Sequence, residues 1–361
     1  MSFPPIITNL PGVACWEGQC CVSPGGLFAR GQFRIKQKDL GSKKTPAPGV
    51  SPESLSPMDS APARSPLVLL RRLLELVRFS HTVFALPFAL AALVMAWAWR
   101  QQAEVPRPLQ WREVLGVLLC MVTARNAAMA FNRLADQELD AQNPRTQKRH
   151  LPAGLLSRRT VVVFWALNCL GFVAATALFL PQNPWPLRLS LPVLAFICAY
   201  SYTKRFTWLA HFWLGAALLL APVCTWIAVV GLEQLQVALV LGLAVLFWVA
   251  GFDMIYACQD EEVDRRLGLR SVPARWGTAA ALRLAAACHA VMVLCLLALP
   301  QVFPLLGWKY YTGVVLVAGL LIYEHWLVSP QDLSRVNVAF FQVNAVVSLG
   351  LLGLIALDVL T

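Results

Sequence analysis

The sequence predicts an all-α membrane protein of about nine transmembrane helices. Three observations carry that prediction. Of 361 residues, 58% are hydrophobic and only 14% charged, with a mean hydropathy of +0.61, the composition of a chain that crosses a bilayer repeatedly. Apolar runs long enough to span a membrane follow one another from residue 82 to the end. The acidic residues that interrupt this pattern gather into two similar clusters, each directly after an apolar run, which suggests two related helical halves facing each other across one site.

Residues 1–66 are rich in Pro, Gly and Ser and lack a sustained hydrophobic period, so they are expected to be a disordered N-terminal extension of the domain formed by residues 67–361. No basic segment, apolar core and cleavage site follow in order, which argues against a cleaved secretory signal. Met58 is an alternative start. Cys15, Cys20 and Cys21 lie in the extension, and no His or second Cys pair completes a metal site around them. The other seven cysteines fall in or beside apolar runs without ligand spacing and are small packing residues.

From Leu67 to Arg78 an amphipathic stretch precedes the first span and is expected to lie along the membrane surface. The spans are expected near residues 82–99, 113–135, 160–180, 189–203, 208–229, 236–256, 279–299, 310–328 and 336–358. Pro87, Pro192 and Pro222 fall inside them and would kink their helices. Trp208, Trp213, Trp308 and Tyr310 fit an interfacial aromatic belt, and His211 and His289 read as interfacial or helix-packing residues. The loops that share a side with residues 136–159 and 257–278 hold fifteen Lys and Arg, and the opposite loops hold five. By the positive-inside rule both acidic clusters face the cytoplasm. The net charge of +11 therefore reflects topology rather than nucleic-acid binding.

The first cluster is Asn132, Asp136 and Asp140. If the helix entering from Glu113 continues, these recur every four residues on one face, with neighbouring Cβ atoms about 5–6 Å apart. The second is Tyr256, Asp260 and Asp264, 124 positions later at the same spacing, with Asp253 one turn upstream. Taken alone, either cluster also fits a solvated helix end with capping charges; the repetition favours a site. Oxygen-rich faces of this kind suit Mg²⁺, which keeps several waters and is usually shared with substrate phosphates, so a diphosphate substrate is implied. Bases follow each cluster, Arg145, Lys148 and Arg149 after the first and Arg265, Arg266, Arg270 and Arg275 after the second, and could hold the same anion.

These residues resemble the UbiA superfamily of intramembrane aromatic prenyltransferases. The first motif, Asn-x3-Asp-x3-Asp, is met by Asn132, Asp136 and Asp140. The second, Asp-x2-Tyr-Ala-x2-Asp-x3-Asp, is met by Asp253, Tyr256, Ala257, Asp260 and Asp264. Supporting strings are Arg125 to Arg133, Asn143-Pro-Arg145-Thr, His81 to Phe88, and Tyr200 to Thr207 with its Lys204 and Arg205. The resemblance covers roughly residues 68–361 and implies nine helices around a central cavity with a cytoplasmic cap, in the cytoplasmic (inner) membrane of a bacterium. It implies that Asp136, Asp140, Asp260 and Asp264 hold Mg²⁺ on a polyprenyl diphosphate, with Asn132 and Tyr256 completing the polar site.

The implied reaction transfers a polyprenyl group to a small aromatic acceptor, 4-hydroxybenzoate for ubiquinone, or alternatively a futalosine-route menaquinone precursor. Its chemistry suits the residues. Breaking an allylic C–O bond leaves charge on diphosphate that Arg145, Lys148, Arg149 or Lys204 would stabilise, and the carbocation needs an apolar, dry cavity. Arg125, two turns inside the second span, is expensive to bury and is expected to touch the acceptor or the diphosphate. Asp253 is expected to accept the ring proton or to pair with a buried base. An ion-coupled transporter is the non-enzyme alternative. Its carboxylates belong in mid-span, whereas these stand at span ends.

Overall fold

In the computed structural model residues 65–77 and 84–361 are described; residues 1–64, with the expected extension, and His81 lie outside them. Among the described residues every regular element is helical. A surface helix α1 (Pro66–Leu76) precedes α2 (Leu86–Gln101) and α3 (Trp111–Ala135), and the short α4 (Gln137–Gln142) follows. Then come α5 (Arg158–Thr176), α6 (Trp185–Phe206), α7 (Ala210–Val229) and α8 (Leu235–Ala257). The short α9 (Glu261–Arg266) and α10 (Val272–Trp276) lead to α11 (Thr278–Val302), α12 (Trp308–Trp326) and α13 (Asn344–Leu360), the last preceded by a π-helical turn at Val338–Val343.

The nine long helices among the described residues coincide with the nine apolar runs, but only six are long and apolar enough to cross a membrane by length and composition. The three outside that set are α2, with 16 residues; α6, which carries Arg188, Lys204 and Arg205; and α12, bounded by Lys309 and by Glu324 with His325. Pro87 lies in the first turn of α2, where a missing N–H costs no hydrogen bond, so the expected kink has no basis there. Pro192 and Pro222 are inside α6 and α7 as expected, and Pro300 is a third such proline, inside α11.

Helix α8 runs through the centre, packed between α7 and α11. Two glycines permit the close approach. A Cβ at Gly215 would stand 2.3 Å from the carbonyl oxygen of Leu246, and one at Gly251 would stand 2.3 Å from Nε2 of His289. Around α8 a single apolar cluster joins α2, α7, α11, α12 and α13, with the Trp248 ring against Phe88 at 5.1 Å and Phe252 at 4.9 Å. Inside this cluster sits a polar knot. Trp248 donates to Asn344 at 2.6 Å, and Asn344 donates to Glu324 at 2.9 Å and to the carbonyls of Ala339 and Phe340 in the π-helical turn. That turn presents Phe340 to the ring of Tyr256, 4.3 Å away.

Tyr310 is fully buried and donates to the carbonyl of Leu296 at 2.9 Å, so it belongs to the core and not to the aromatic belt. Trp308 is 74% exposed. His289 is buried and donates to the carbonyl of Trp248 at 3.2 Å, which is a packing role. Helix α1 divides its apolar residues between two faces. Leu69, Leu73 and Leu76 pack on Leu134, Leu151 and Leu156 next to the first acidic motif, while Leu67 and Leu70 are exposed, as a surface-lying helix requires.

Candidate active site

Both acidic motifs break at their middle residue. Helix α3 stops at Ala135 and Asp136, at φ −99° and ψ 9°, starts α4. After α8 a single 3₁₀ turn ends on Asp260, at φ −107° and ψ 7°, which starts α9. The expectation of one continuous helical face is therefore wrong, and both motifs make the same turn. Short helices with Glu138 and Asp140, or Glu261, Glu262 and Asp264, in the first turn place negative charge where the helix dipole favours it. That local preference competes with continuing the long helix. The break turns the third aspartate of each motif inward, and Asp140 and Asp264 are both buried.

The motif loops cross over to each other. Arg145, from the first, donates Nε to Asp260 Oδ1 at 2.9 Å, pairs Nη2 with Asp260 Oδ2, donates Nη1 to the Tyr256 hydroxyl at 2.8 Å, and lies 5.1 Å above that ring. Asn143 adds a bond to Asp260 at 3.1 Å. In return Arg266 donates to the carbonyl of Gln142 at 3.1 Å. Within the first motif Arg149 Nη1 donates to both oxygens of Asp140 at 2.7 and 2.9 Å, Asn132 donates to Asp136 at 2.8 Å, and Arg205 stands 3.4 Å from Asp136. Burial works against the charge on Arg145, but its bonds to Asp260 and Tyr256 prevail and hold the guanidinium more firmly protonated than usual. Burial raises the Asp136 carboxyl above the ordinary carboxylate range, with Lys204 opposing the shift and Asp140 adding to it.

These groups line a polar cavity of about 190 Å³ that holds Asp136, Asp140, Asp260 and Asp264 together with Arg145, Arg149, Lys204 and Arg205. Beneath it lies a larger, predominantly apolar chamber of about 340 Å³. Asn132, Arg133, Arg149, Tyr200, Asp253 and Tyr256 line both, so the two adjoin along a shared seam. Arg125 lines the apolar chamber, and its Nε is buried with no hydrogen-bond partner. Asp253 accepts from a fully buried His211 at 2.7 Å, so it pairs with a buried base, and His211 supports the site instead of merely packing.

Of the bases singled out from sequence, Lys148 stays exposed and outside both cavities, and Arg265, Arg266, Arg270 and Arg275 also line neither. Three of the bases after the second motif serve the loops: Arg265 pairs with Glu261, Arg270 donates to the carbonyl of Phe206, and Arg275 lies over Trp276. Residues that sequence reasoning passed over are Arg133, 3.9 Å from Asp140, and Asn143, Tyr200 and Arg205. All four stand inside the supporting strings, and that membership was the signal for them.

Among the described residues no three acidic, His or Cys groups converge closely enough to hold an ion as they stand. Arginine or asparagine contacts occupy three of the aspartates, whereas Oδ2 of Asp264 is buried without a partner. Four motif carboxylates around one polar cavity, with one orphaned oxygen, fit a hard divalent cation such as Mg²⁺ once the guanidinium groups turn from the aspartates to an incoming anion.

A model described as "UbiA prenyltransferase family" matches residues 85–346. A 4-hydroxybenzoate octaprenyltransferase of Hydrogenovibrio crunogenus is 31% identical over 65% of this chain and 81% of its own length. Another, from Saccharophagus degradans, is 28% identical over 81% of this chain and 94% of its own. Among solved structures, the apo form of a UbiA homolog from Aeropyrum pernix K1 superposes with a TM-score of 0.68 and 31% identity, covering 77% of this chain and 98% of that one. A UbiA homolog from Archaeoglobus fulgidus bound to GPP and Mg²⁺ gives 0.56 at 19% identity over 79% of this chain and 99% of that one, a likeness of fold.

Proposed function

The chain belongs to the UbiA prenyltransferase family, and on that premise we propose that it transfers a polyprenyl group from polyprenyl diphosphate to 4-hydroxybenzoate in a Mg²⁺-dependent reaction of ubiquinone synthesis. The observation that carries this reading is a polar cavity lined by five aspartates and five bases that shares a wall with an apolar chamber. An amphiphile with an anionic head and an isoprenoid body fits that pair and little else does. The catalytic unit is residues 67–361, an integral membrane enzyme with the site on the cytoplasmic face of the inner membrane of a bacterium, supported by the fifteen-to-five distribution of Lys and Arg.

The head of the substrate is held in the polar cavity. Arg145, Arg149, Arg205 and Lys204 donate to the diphosphate, and their charge counts most as the allylic C–O bond lengthens and negative charge moves onto the leaving group. Asp136, Asp140, Asp260 and Asp264 would hold Mg²⁺, which would supply further neutralisation of that leaving group. The prenyl carbons nearest the reacting bond lie at the seam with Tyr256, Phe252 and Phe340 around them. Aromatic faces there shield a developing allylic cation from water and tolerate its charge. Arg125 donates to the carboxylate of the aromatic acceptor inside the apolar chamber. After the ring attacks, Asp253 takes the ring proton at the seam, and the electron pair of the broken C–H bond restores aromaticity.

The test is product formation in isolated membranes supplied with labelled polyprenyl diphosphate, offering 4-hydroxybenzoate beside a futalosine-type acceptor. Prenylated 4-hydroxybenzoate formed with Mg²⁺ and lost on chelation is the expected result. Product with the other acceptor alone reassigns the pathway, and no product from folded protein removes the reaction.

A further inference from the structure

His211 opens α7, and its ring is fully enclosed. Its two nitrogens meet different partners. Nδ1 is 2.7 Å from Oδ2 of Asp253, and Nε2 is 3.2 Å from the backbone nitrogen of Val272. A backbone N–H can only donate, so Nε2 must present a lone pair to it, and the single proton of the neutral ring then sits on Nδ1 and is donated to Asp253. A doubly protonated ring would set a proton against the Val272 N–H at a fully buried position. The segment behind the second motif, Ser271 and Val272 at the start of α10, thus fixes the tautomer of a residue on a different helix.

The consequence falls on Asp253. Its carboxylate lines both cavities at the seam, with one oxygen engaged by His211. A cationic partner on that oxygen would stabilise the carboxylate strongly and weaken it as a base, whereas a neutral imidazole N–H orients it with a smaller loss of basicity. We propose that His211, locked as the Nδ1–H tautomer by the Val272 amide, is a positioning residue that holds Asp253 with its other oxygen toward the seam, where it receives the proton lost from the prenylated ring. The proposal rests on the reading of Asp253 as the base. In the step, the C–H bond of the cationic ring breaks, its electrons return to the ring, an O–H bond forms on Asp253, and the proton leaves through the polar cavity.

The experiment compares H211L, H211Q, V272P and D253N of the full chain in membranes, with 4-hydroxybenzoate carrying hydrogen or deuterium at the carbons next to the hydroxyl-bearing carbon. Leucine removes both bonds. Glutamine can offer its amide N–H to Asp253 and its carbonyl to Val272. Proline at Val272 removes the backbone donor at the first position of α10, where proline is tolerated, and puts a ring of similar bulk in place of a buried valine side chain. For H211L the expected result is a fall in kcat of about 10- to 100-fold, part of the two to four powers of ten that a base supplies, with both KM values within about threefold. A primary isotope effect absent from the wild type should appear as proton loss becomes rate-limiting. H211Q should recover most of kcat and lose the isotope effect, and V272P, which keeps the fold if H211L does not, should show a smaller kcat loss with an isotope effect. Loss of folded protein alone, with normal kcat per folded molecule and no isotope effect in H211L and V272P, would overturn the proposal. So would a glutamine variant as slow as leucine at equal folded yield. D253N separates the layers: normal turnover there removes Asp253 as the base, whereas a slow D253N beside a normal H211L removes only the role of His211.

Discussion

Asp260→Ala is expected to abolish prenyl transfer, by at least about a thousandfold, while the protein inserts and folds. The asymmetry between the two effects follows from the surroundings. Asp260 receives Arg145 and Asn143 across the motif gap and stands on the wall of the polar cavity. Its loss removes a carboxylate of the proposed Mg²⁺ set and the anchor of the guanidinium that meets the diphosphate, two contributions that each grow as the leaving group gains charge. The folded state loses much less. The Arg145 side chain is 30% exposed and keeps the Tyr256 hydroxyl and the aromatic face, so solvent relieves part of its charge and the loss to stability is about 1–3 kcal/mol. Turnover in membranes beside thermal unfolding in detergent reads both effects. Unchanged turnover would remove the assignment of the second motif, and Asp136→Ala makes the same test of the first.

Arg125→Met separates function from stability in the other direction. The guanidinium sits on α3 inside a predominantly apolar chamber, and its Nε has no partner among the described residues. A desolvated charge left partly unpaired lowers stability, and an unbranched apolar side chain of similar length removes that penalty. Arg125→Met is therefore expected to unfold at the same temperature as the wild type or higher. Its KM for 4-hydroxybenzoate should rise about 10- to 100-fold, corresponding to the roughly 1.5–3 kcal/mol of a hydrogen bond to a charged group, while KM for the diphosphate changes little. A destabilised variant with an unaltered acceptor KM would make Arg125 a structural residue.

Much of this site was legible because it violates the pattern around it. Asp136, Asp140, Asp260 and Asp264 stand directly after apolar runs, and Arg125 within one; such residues stand out without any structure. The break at Asp136 was hidden, because a spacing of four satisfies a continuing helix as well as a capped turn, and only the acidic first turns of α4 and α9 separate the two. The partners of the bases were hidden for another reason. Arg145, Lys148 and Arg149 look alike in sequence, yet the first crosses to Asp260, the third folds back on Asp140, and Lys148 points to solvent, choices that depend on how two loops 111 or more positions apart meet. His211 and Tyr310 were misplaced because an isolated polar ring in an apolar run has the same periodicity whether it faces the membrane interface, the core or the site. Nine apolar runs became nine long helices among the described residues, of which α2, α6 and α12 lack the length or hydropathy that identifies the other six as spans.

The central claim is that the two motifs form one diphosphate site opening onto the apolar chamber. Its most direct measurement is an experimental structure with Mg²⁺ and a non-hydrolysable polyprenyl diphosphate analogue. The expected result places the diphosphate in the polar cavity between Asp136 with Asp140 and Asp260 with Asp264, Arg145 turned from Asp260 to the phosphates, and the first isoprene units past Tyr256 in the apolar chamber. A diphosphate bound elsewhere, with the Arg145 to Asp260 pair intact, would contradict it.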